Sequence, residues 1–453
     1  MLQELITTQA RTRDLDDLKT TLAEAGSKET LQAFHALPTA EQAIVFRLLS
    51  KEKALAVFEQ LDTVQQQRLL RSFADDGAVE LVDALAPDRR VRLLDELPAT
   101  VARRLIDALS PAERAATHVL MGYEPQTAGR IMTTEYVTLP TGWTAAQALD
   151  RVRTQAREVE TIYTLYVTTP SRRLRGVLSL RDLLVADPAA RLEDVMARGP
   201  VSVSTGEDQE AVARLLQELD LLAVPVVDSE NRMVGIVTVD DALDILEEEA
   251  SEDFYQQAGL TDLTGSEASR SDVLVNGSLW RIWKVRLPFL LITVVAGMLS
   301  GLVIEGFEDA LESIVAVAVF IPLIMDMGGN VGTQSSTVFA RGVVVGHIRL
   351  QTFFRHFLKE VGVGLSLGLV VGVLSGTIAA LWQGMPMLGV AVGLALVVAM
   401  TLAALLGFLV PYVLIRLDID QAAGAAPIIT SIKDIAGLLI YFAFVTMFLG
   451  HLL

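Results

Sequence analysis

The stretch PLIMDMGGNVGTQSSTVFAR, residues 322–341, decides how the rest of this chain is read. An apolar run leads into Asp326, Gly328, Gly329, Asn330, Gly332, Thr333, Gln334, Ser335, Ser336 and Thr337. Continued as a helix, it sets Asp326, Asn330, Thr333, Gln334 and Thr337 at spacings of three and four, hence on one face. A polar stripe on a membrane helix does not face lipid cheaply; it faces protein or a water-filled path. The glycines let the backbone deviate and expose carbonyl oxygens, which is tolerated at membrane depth only beside protein or a cavity. Small and hydroxyl residues also glue helices together. An acid, an amide and a Gly-Gly step together exceed what packing requires.

Around this stretch the C-terminal part carries five apolar runs, at 287–304, 313–338, 361–382, 387–415 and 427–453. Each is long enough to cross roughly 30 Å of hydrocarbon. Arg281, Lys284 and Arg286 precede the first run, Arg341, Arg349, Arg355 and Lys359 separate the second from the third, and Arg416 follows the fourth. All fall on one side, so the positive-inside rule puts the N-terminus in the cytoplasm and the C-terminus outside. Glu305, Glu308, Asp309 and Glu312 then form an acidic mouth on the outer side. A second polar cluster, DIDQAAGAAPIITSIKDIAG at 418–437, opens the fifth run. Thr430 and Asp434 stand four apart on one helical face. Apolar residues follow Asp434 for more than a turn, so an unpaired charge there costs roughly 3 kcal/mol. Lys433 is the available partner, although neighbours i and i+1 point apart on a helix.

The charge is divided unevenly. From Trp280 onward there are 9 Lys/Arg and 9 Asp/Glu, which leaves 28 basic and 46 acidic residues before it. The net charge of −18 therefore sits on the first 279 residues. An acidic soluble part joined to a nearly neutral membrane part argues against nucleic acid, whose phosphates need a basic partner. It favours cations, which its field concentrates. With no Cys, thiolate metal sites and disulfides are excluded. The N-terminus lacks the long apolar core of a signal peptide. The scattered histidines form no nucleophile–His pair or metalloprotease motif, so an enzyme is not expected; His347 and His356 lie in a basic loop that suits lipid headgroups.

Between about 15 and 128, ALPTAEQAIVFRLL, QLDTVQQQRLLRSF, ALAPDRRVRLLDEL and ALSPAERAATHVL share a leucine, a Pro or Asp turn and an apolar helical face. Units this short must stack, which predicts an all-helical superhelix. Asp76 and Glu80, four apart, can share a cation. Residues 131–250 hold an internal repeat: GVLSLRDLL from Gly176 matches GIVTVDDAL from Gly235, and Ile131-Met132 and Val195-Met196 open the two copies. Each copy reads strand, helix, strand, turn, strand, helix. Ser179 with Asp182 and Thr238 with Asp241 have capping spacing, which also suits the ribose and phosphate of a nucleoside. The helix ALDILEEEASEDFYQQAGL follows, with Glu247, Glu248, Glu249, Glu252 and Asp253. TDLTGSEASRSDVLVNGS then reads as a flexible linker.

The repeated pair resembles a tandem CBS domain. Adenine nucleotides are ligands of many such pairs, so the resemblance implies ATP or a related nucleotide at Arg181, Asp182, Thr238 and Asp241. The membrane clusters, Gly328-Gly329-Asn330-x-Gly332-Thr333-Gln334 and Asp420-x-Ala422…Pro427-x-x-Thr430-x-x-x-Asp434, resemble the MgtE magnesium channels. The order of parts is similar throughout. That resemblance implies a multidomain membrane protein: a helical superhelix over 1–129, CBS copies at 130–194 and 195–245, an acidic plug helix and linker over 246–279, and a five-helix α-helical membrane domain over 280–453. It implies a homodimer in the bacterial inner membrane with one pore between subunits. Asp434 of both chains would bind hydrated Mg2+, with Asp326, Asn330, Thr333, Asp420 and Thr430 nearby. Sensor sites for regulatory Mg2+ would lie at Asp76, Glu80, Asp208, Glu210, Asp220, Asp241, Asp244, Glu249, Glu252 and Asp253. The sequence departs from the family pattern at Asp326, Gln421, Ala426 and Lys433.

The physics agrees with a channel closed by the ion it admits. Mg2+ is hard and slow to lose water, so one or two carboxylates plus carbonyls suffice. Apposed acidic faces repel until divalent ions bridge them. The rival readings are a carrier exchanging a divalent cation for Na+ or H+, and a membrane-anchored sensor without transport.

Overall fold

The computed structural model describes residues 2–12, 15–72, 75–260, 263, 265–417 and 421–451. They form two compact units, one of residues 1–250 with 264–272, the other of 251–263 with 273–453.

The first unit begins with short helices from Leu2–Thr12 to Pro111–Met121. Their cadence has a hydrogen-bond cause. Gln42 Nε2 donates to the Phe34 carbonyl (3.0 Å), Gln66 Nε2 to Phe58 (2.8 Å), Arg90 Nε to Val82 (2.9 Å) and Arg114 Nε to Ile106 (3.2 Å). The four donors recur at one constant interval. Each reaches from the start of one helix to a carbonyl in the last turn of the preceding helix, which it shares with the backbone amide three residues further on. A guanidinium there also meets the negative end of the helix dipole. Arg90 is 1% exposed and adds the Leu85 and Asp83 carbonyls, Thr117 and an ion pair to Glu113 at 2.7 Å. Beneath these caps Phe34, Phe46 and Phe58 pack edge to face. The expected superhelix is therefore stacked by apolar faces and locked by repeated side-chain caps.

The repeat pair forms two small sheets. One has the order β1 (Tyr136–Pro140), β2 (Thr161–Thr168), β3 (Leu174–Ser179), β4 (Ala197–Arg198); the other has β5 (Val203–Ser204), β6 (Ala223–Val227), β7 (Met233–Thr238). The matched glycines sit in matching register, Gly176 opposite Val167 and Gly235 opposite Val226. The copies are interlaced. Thr133, ahead of β1, exchanges both backbone hydrogen bonds with Ile236 of β7, while β4, after Met196, pairs with β3. A Cβ on Gly176 would strike Met196, and one on Gly235 would strike Met132. Each copy's opening Met thus closes the other copy's sheet.

The acidic helix is Val239–Gln257, continuous from the last strand. The following segment corrects the linker expectation: Glu267–Asn276 is a helix. Ser266 and Arg270 are buried. The Ser266 amide and the Ser269 hydroxyl bond Glu96, Arg270 donates to the Glu248 carbonyl at 2.8 Å, and Asp272 pairs with Arg68 at 2.6 Å. A Gly- and Ser-rich composition signals flexibility only where no tertiary partner is supplied, and here Glu96 and Arg68 supply it.

The second unit contains five helices long and apolar enough to cross a membrane: Leu279–Glu305, Val315–Val344, Leu350–Gln383, Pro386–Arg416 and Ile428–Leu449. They are called the first to fifth spans. The second span begins as a 3-10 turn, Val315–Phe320, and continues as helix Ile321–Val344. The fourth is the central element, packed against the second, third and fifth, while the first lies on the fifth. The third and fourth meet through glycines. Gly364, Gly368, Gly372 and Gly376 are all buried, and a Cβ on Gly372 would lie 2.5 Å from the Gly393 carbonyl oxygen, one on Gly376 2.6 Å from that of Gly389. Small residues at this spacing let backbones touch, which is how helices associate where water provides no drive. The end of the acidic helix also belongs to this unit. Gly259 ends it at φ +78°, with Leu260 N–H on the Tyr255 carbonyl and Gly259 N–H on that of Gln256. This is a Schellman cap, and Phe289 of the first span leaves no room for a Cβ on that glycine.

Candidate ion path and acidic cluster

On the second span the structure sorts residues as the sequence predicts. Ile324, Gly328, Val331, Gly332, Ser335 and Phe339 are buried in the protomer. Asp326, Asn330, Thr333, Gln334 and Thr337 are exposed on the other face. Asn330 Nδ2 donates to Asp326 Oδ2 at 3.2 Å, so the stripe is internally linked. A side chain with this polarity needs protein or water against it at membrane depth.

The fifth span packs beside this helix. A Cβ on Gly332 would lie 3.2 Å from Ile429 Cγ2, and one on Gly328 3.8 Å from Lys433 Cδ. Thr430 and Asp434 are half-buried. Here Lys433 is the partner of Asp434, despite their adjacent positions. Lys433 Nζ lies 2.9 Å from Asp434 Oδ1, with the lysine side chain 9% exposed and the aspartate 18%. Adjacent Cβ atoms do point apart, but four methylenes let the ammonium curl back to its neighbour. The contact is an ion pair by distance without hydrogen-bond geometry, since Asp434 Oδ1 accepts no hydrogen bond. The ammonium instead donates to the Met325 carbonyl at 3.2 Å. Asp420 lies outside the described residues.

The sensor candidates of the first unit separate into several environments. Asp208 caps helix Gln209–Glu218, accepting from the Glu210 and Ala211 amides. Glu210 pairs with Arg214, Glu80 with Lys51 at 2.7 Å and Asp244 with Arg92 at 3.0 Å, while Glu249 accepts from Gln209 at 2.6 Å. Asp220 is exposed, at φ +51°. The side chain of Asp76 lies outside the described residues. In the second unit Glu252 accepts from Gln256 at 3.0 Å.

The acid that sequence reading missed is Asp88. It is 7% exposed and its Oδ1 has no hydrogen-bond partner. Burial first, then the charges of Asp241 and Glu160, push its carboxyl up to about 8. Burial likewise raises Asp241 to about 6, against the lowering effect of the Thr238 hydrogen bond at 2.6 Å. Three chain segments therefore bring acids together: the helix Pro87–Glu96, the acidic helix, and Glu160 ahead of β2. Among the described residues no three carboxylates or histidines converge tightly enough to enclose a bare ion. Burial of an acid by distant segments leaves no local sequence pattern; the alternation in PDRRVRLLDEL gives only a helix.

A pH signature follows. Both carboxyls are raised in the folded state, so the unfolded chain releases its protons first. Stability of the cation-free protein falls as pH rises from about 4 toward 8 and levels above that. Asp88→Asn is expected to flatten most of that slope, read as thermal midpoint against pH in chelator. An unchanged slope contradicts the assignment.

For a nucleotide, the two copies are unequal. Arg181 and Asp182 are exposed; Ser179 caps the helix by accepting the Asp182 amide at 3.0 Å and donates its hydroxyl to the Asp182 carboxylate at 2.6 Å. Thr238 is buried and Asp241 stands among acids.

Three family profiles match in the order of the parts: MgtE intracellular N domain at 26–126, CBS domain at 128–188 and 192–248, and MgtE, a divalent cation transporter, at 321–444. A magnesium transporter MgtE from Thermus thermophilus is 42% identical over 331 residues, 72% of this chain and 71% of its own length. The chain belongs to the MgtE family. A Bacillus subtilis MgtE is 37% identical over 75% of this chain and 74% of its own. Among solved structures, the soluble part of a magnesium transporter superposes with a TM-score of 0.51 at 30% identity, covering 55% of this chain and 98% of that one. The cytosolic domain of the Mg2+ channel MgtE in complex with ATP gives 0.50 at 37% identity, covering 53% and 99%. The helical N domain, the CBS pair and the multi-pass membrane part expected from the MgtE resemblance are all present.

Proposed function

We propose that this chain is a magnesium channel, admitting Mg2+ to the cytoplasm through a path lined by the second and fifth spans of two copies. The observation that carries the reading is the exposed stripe Asp326, Asn330, Thr333, Gln334, Thr337. It is too polar for lipid, so a second copy or water covers it. The MgtE relatives, named as magnesium transporters, support the choice of ion. Asp434, with Thr430 on the same face, holds the hydrated ion by charge and hydrogen bonds. Binding must admit the ion yet release it, and a single carboxylate per chain meets both needs. Asp420 is assigned to the same path. The basic ends of the spans support an N-terminus in the cytoplasm and a C-terminus outside, in the plasma membrane.

Closure follows from the acidic cluster. Intracellular Mg2+ at Asp88, Asp241 and Glu160, with Asp76, Glu80, Asp208, Glu210, Asp220, Asp244 and Glu249 as further sensor acids, relieves repulsion in the first unit. The acidic helix carries the signal onward through Glu252 and Asp253. This is a population shift driven by differential ion binding. ATP or another adenine nucleotide at Arg181 and Asp182 would be a second input; the ATP complex of a related cytosolic domain supports it.

The test is divalent flux into proteoliposomes at low and high internal Mg2+. Wild type is expected to conduct at low internal Mg2+ without a coupling ion and to close at high. Glu249→Gln, Glu252→Gln and Asp253→Asn together are expected to stay open. A Na+ or H+ requirement would favour the carrier, and closure unaffected by the triple change would remove the acidic helix from gating.

A further inference from the structure

Lys433 is the ionisable side chain in the proposed path that ion conduction does not require. It brings a fixed positive charge to a site meant to attract cations. Its ammonium has two oxygen contacts, an ion pair and a hydrogen bond. One is Asp434 Oδ1 at 2.9 Å; the other is the Met325 carbonyl of the second span at 3.2 Å. The second span makes room for it with a glycine: a Cβ on Gly329 would lie 2.6 Å from Lys433 Nζ. Gly329 and Lys433 thus form a matched pair, space on one helix and a cation from the other. Asp434 Oδ1, buried yet accepting no well-aligned hydrogen bond, keeps capacity for a better partner.

We propose that Lys433 is a tethered counter-ion that occupies the Asp434 carboxylate until a divalent cation displaces it, and so determines which cations enter. This rests on the channel reading above. The Coulomb argument is direct. A monovalent ion offers Asp434 the same charge as the ammonium already beside it, and must also overcome a partner held at high local concentration by its own chain. A divalent ion doubles the attraction and wins. The displaced ammonium keeps the Met325 carbonyl as acceptor, so it leaves the carboxylate without being stranded. With three donors and no acceptor capacity, an ammonium suits this exchange.

The experiment uses full-length protein in proteoliposomes, with Mg2+ titrated from the outside and K+ flux measured in divalent-free solution. Lys433→Gln is expected to raise the K+ to Mg2+ flux ratio and to lower the half-saturating Mg2+ concentration, each by at least about tenfold. Lys433→Arg is expected to stay near wild type. Gly329→Ala keeps the lysine but takes its space, and is expected to shift both readouts in the direction of Lys433→Gln even if that variant folds poorly. A flux ratio unchanged in both Lys433→Gln and Gly329→Ala overturns the inference while leaving the channel intact. Mg2+ flux that survives Asp434→Asn moves the path away from the fifth span and overturns the inference, whereas a wild type that carries no Mg2+ flux overturns the channel reading.

Discussion

Replacing Asp434 by Ala is expected to reduce Mg2+ flux by on the order of 100-fold or more. A divalent ion about 5 Å from a carboxylate gains several kcal/mol at an effective dielectric near 20. At membrane depth little water is present to replace that gain. The substitution also leaves Lys433 without its carboxylate, so that its ammonium stands beside the path with the Met325 carbonyl as its acceptor. Loss of the acid and exposure of the base act in the same direction, so the net effect exceeds that of removing a carboxylate alone. Asp434→Glu should keep part of the flux, because the charge remains while its distance from Lys433 changes. Radiotracer or fluorescent-indicator flux into proteoliposomes reads both. Flux untouched by Asp434→Ala would move the path away from the fifth span, with Asp326 the next candidate.

Gly372→Leu is expected to prevent the third and fourth spans from packing. The Gly393 carbonyl stands 2.5 Å from where its Cβ would be, and the Gly376 and Gly389 backbones touch one turn away. A rigid main-chain atom cannot yield as a side-chain end can, so the helices must separate. The fourth span is central, so separation disturbs the second and fifth as well. The expected outcome is loss of most monodisperse protein in detergent, with Gly372→Ala intermediate. Gly301→Ala, on the first span with open space around it, is the matched control and should behave as wild type. Equal yields for Gly372→Leu and Gly301→Ala would contradict the packing described.

Much of this is legible in the sequence. The polar face of 322–341, the five apolar runs, the repeat of GVLSLRDLL in GIVTVDDAL and the stacked short helices all follow from local periodicity. Periodicity is a property of neighbouring residues, so a sequence carries it openly. What it does not carry is the partner supplied by a distant segment. Glu96 and Arg68 turn an expected linker into the helix Glu267–Asn276. Asp241 and Glu160 make Asp88 more than one acid on an amphipathic helix. The Lys433–Asp434 contact shows a different limit: backbone geometry separates adjacent Cβ atoms, but the length of a lysine restores the contact. The glycines at 364, 368, 372 and 376 recur every four residues, a spacing that marks a packing face in the sequence itself.

The central claim is that the exposed face of the second span meets a second copy and lines the ion path. The chain has no native Cys, so single cysteines test it cleanly. We would place one at Thr333, on the polar face, and one at Val370 of the third span, an exposed apolar position. Oxidation in native membranes, with and without Mg2+, is read as dimer on a non-reducing gel. The account predicts that Thr333→Cys cross-links to its copy, that Mg2+ slows the reaction, and that Val370→Cys does neither. Failure of Thr333→Cys to cross-link, with unrestricted labelling by a lipid-soluble thiol reagent, would put that face in lipid and contradict the account.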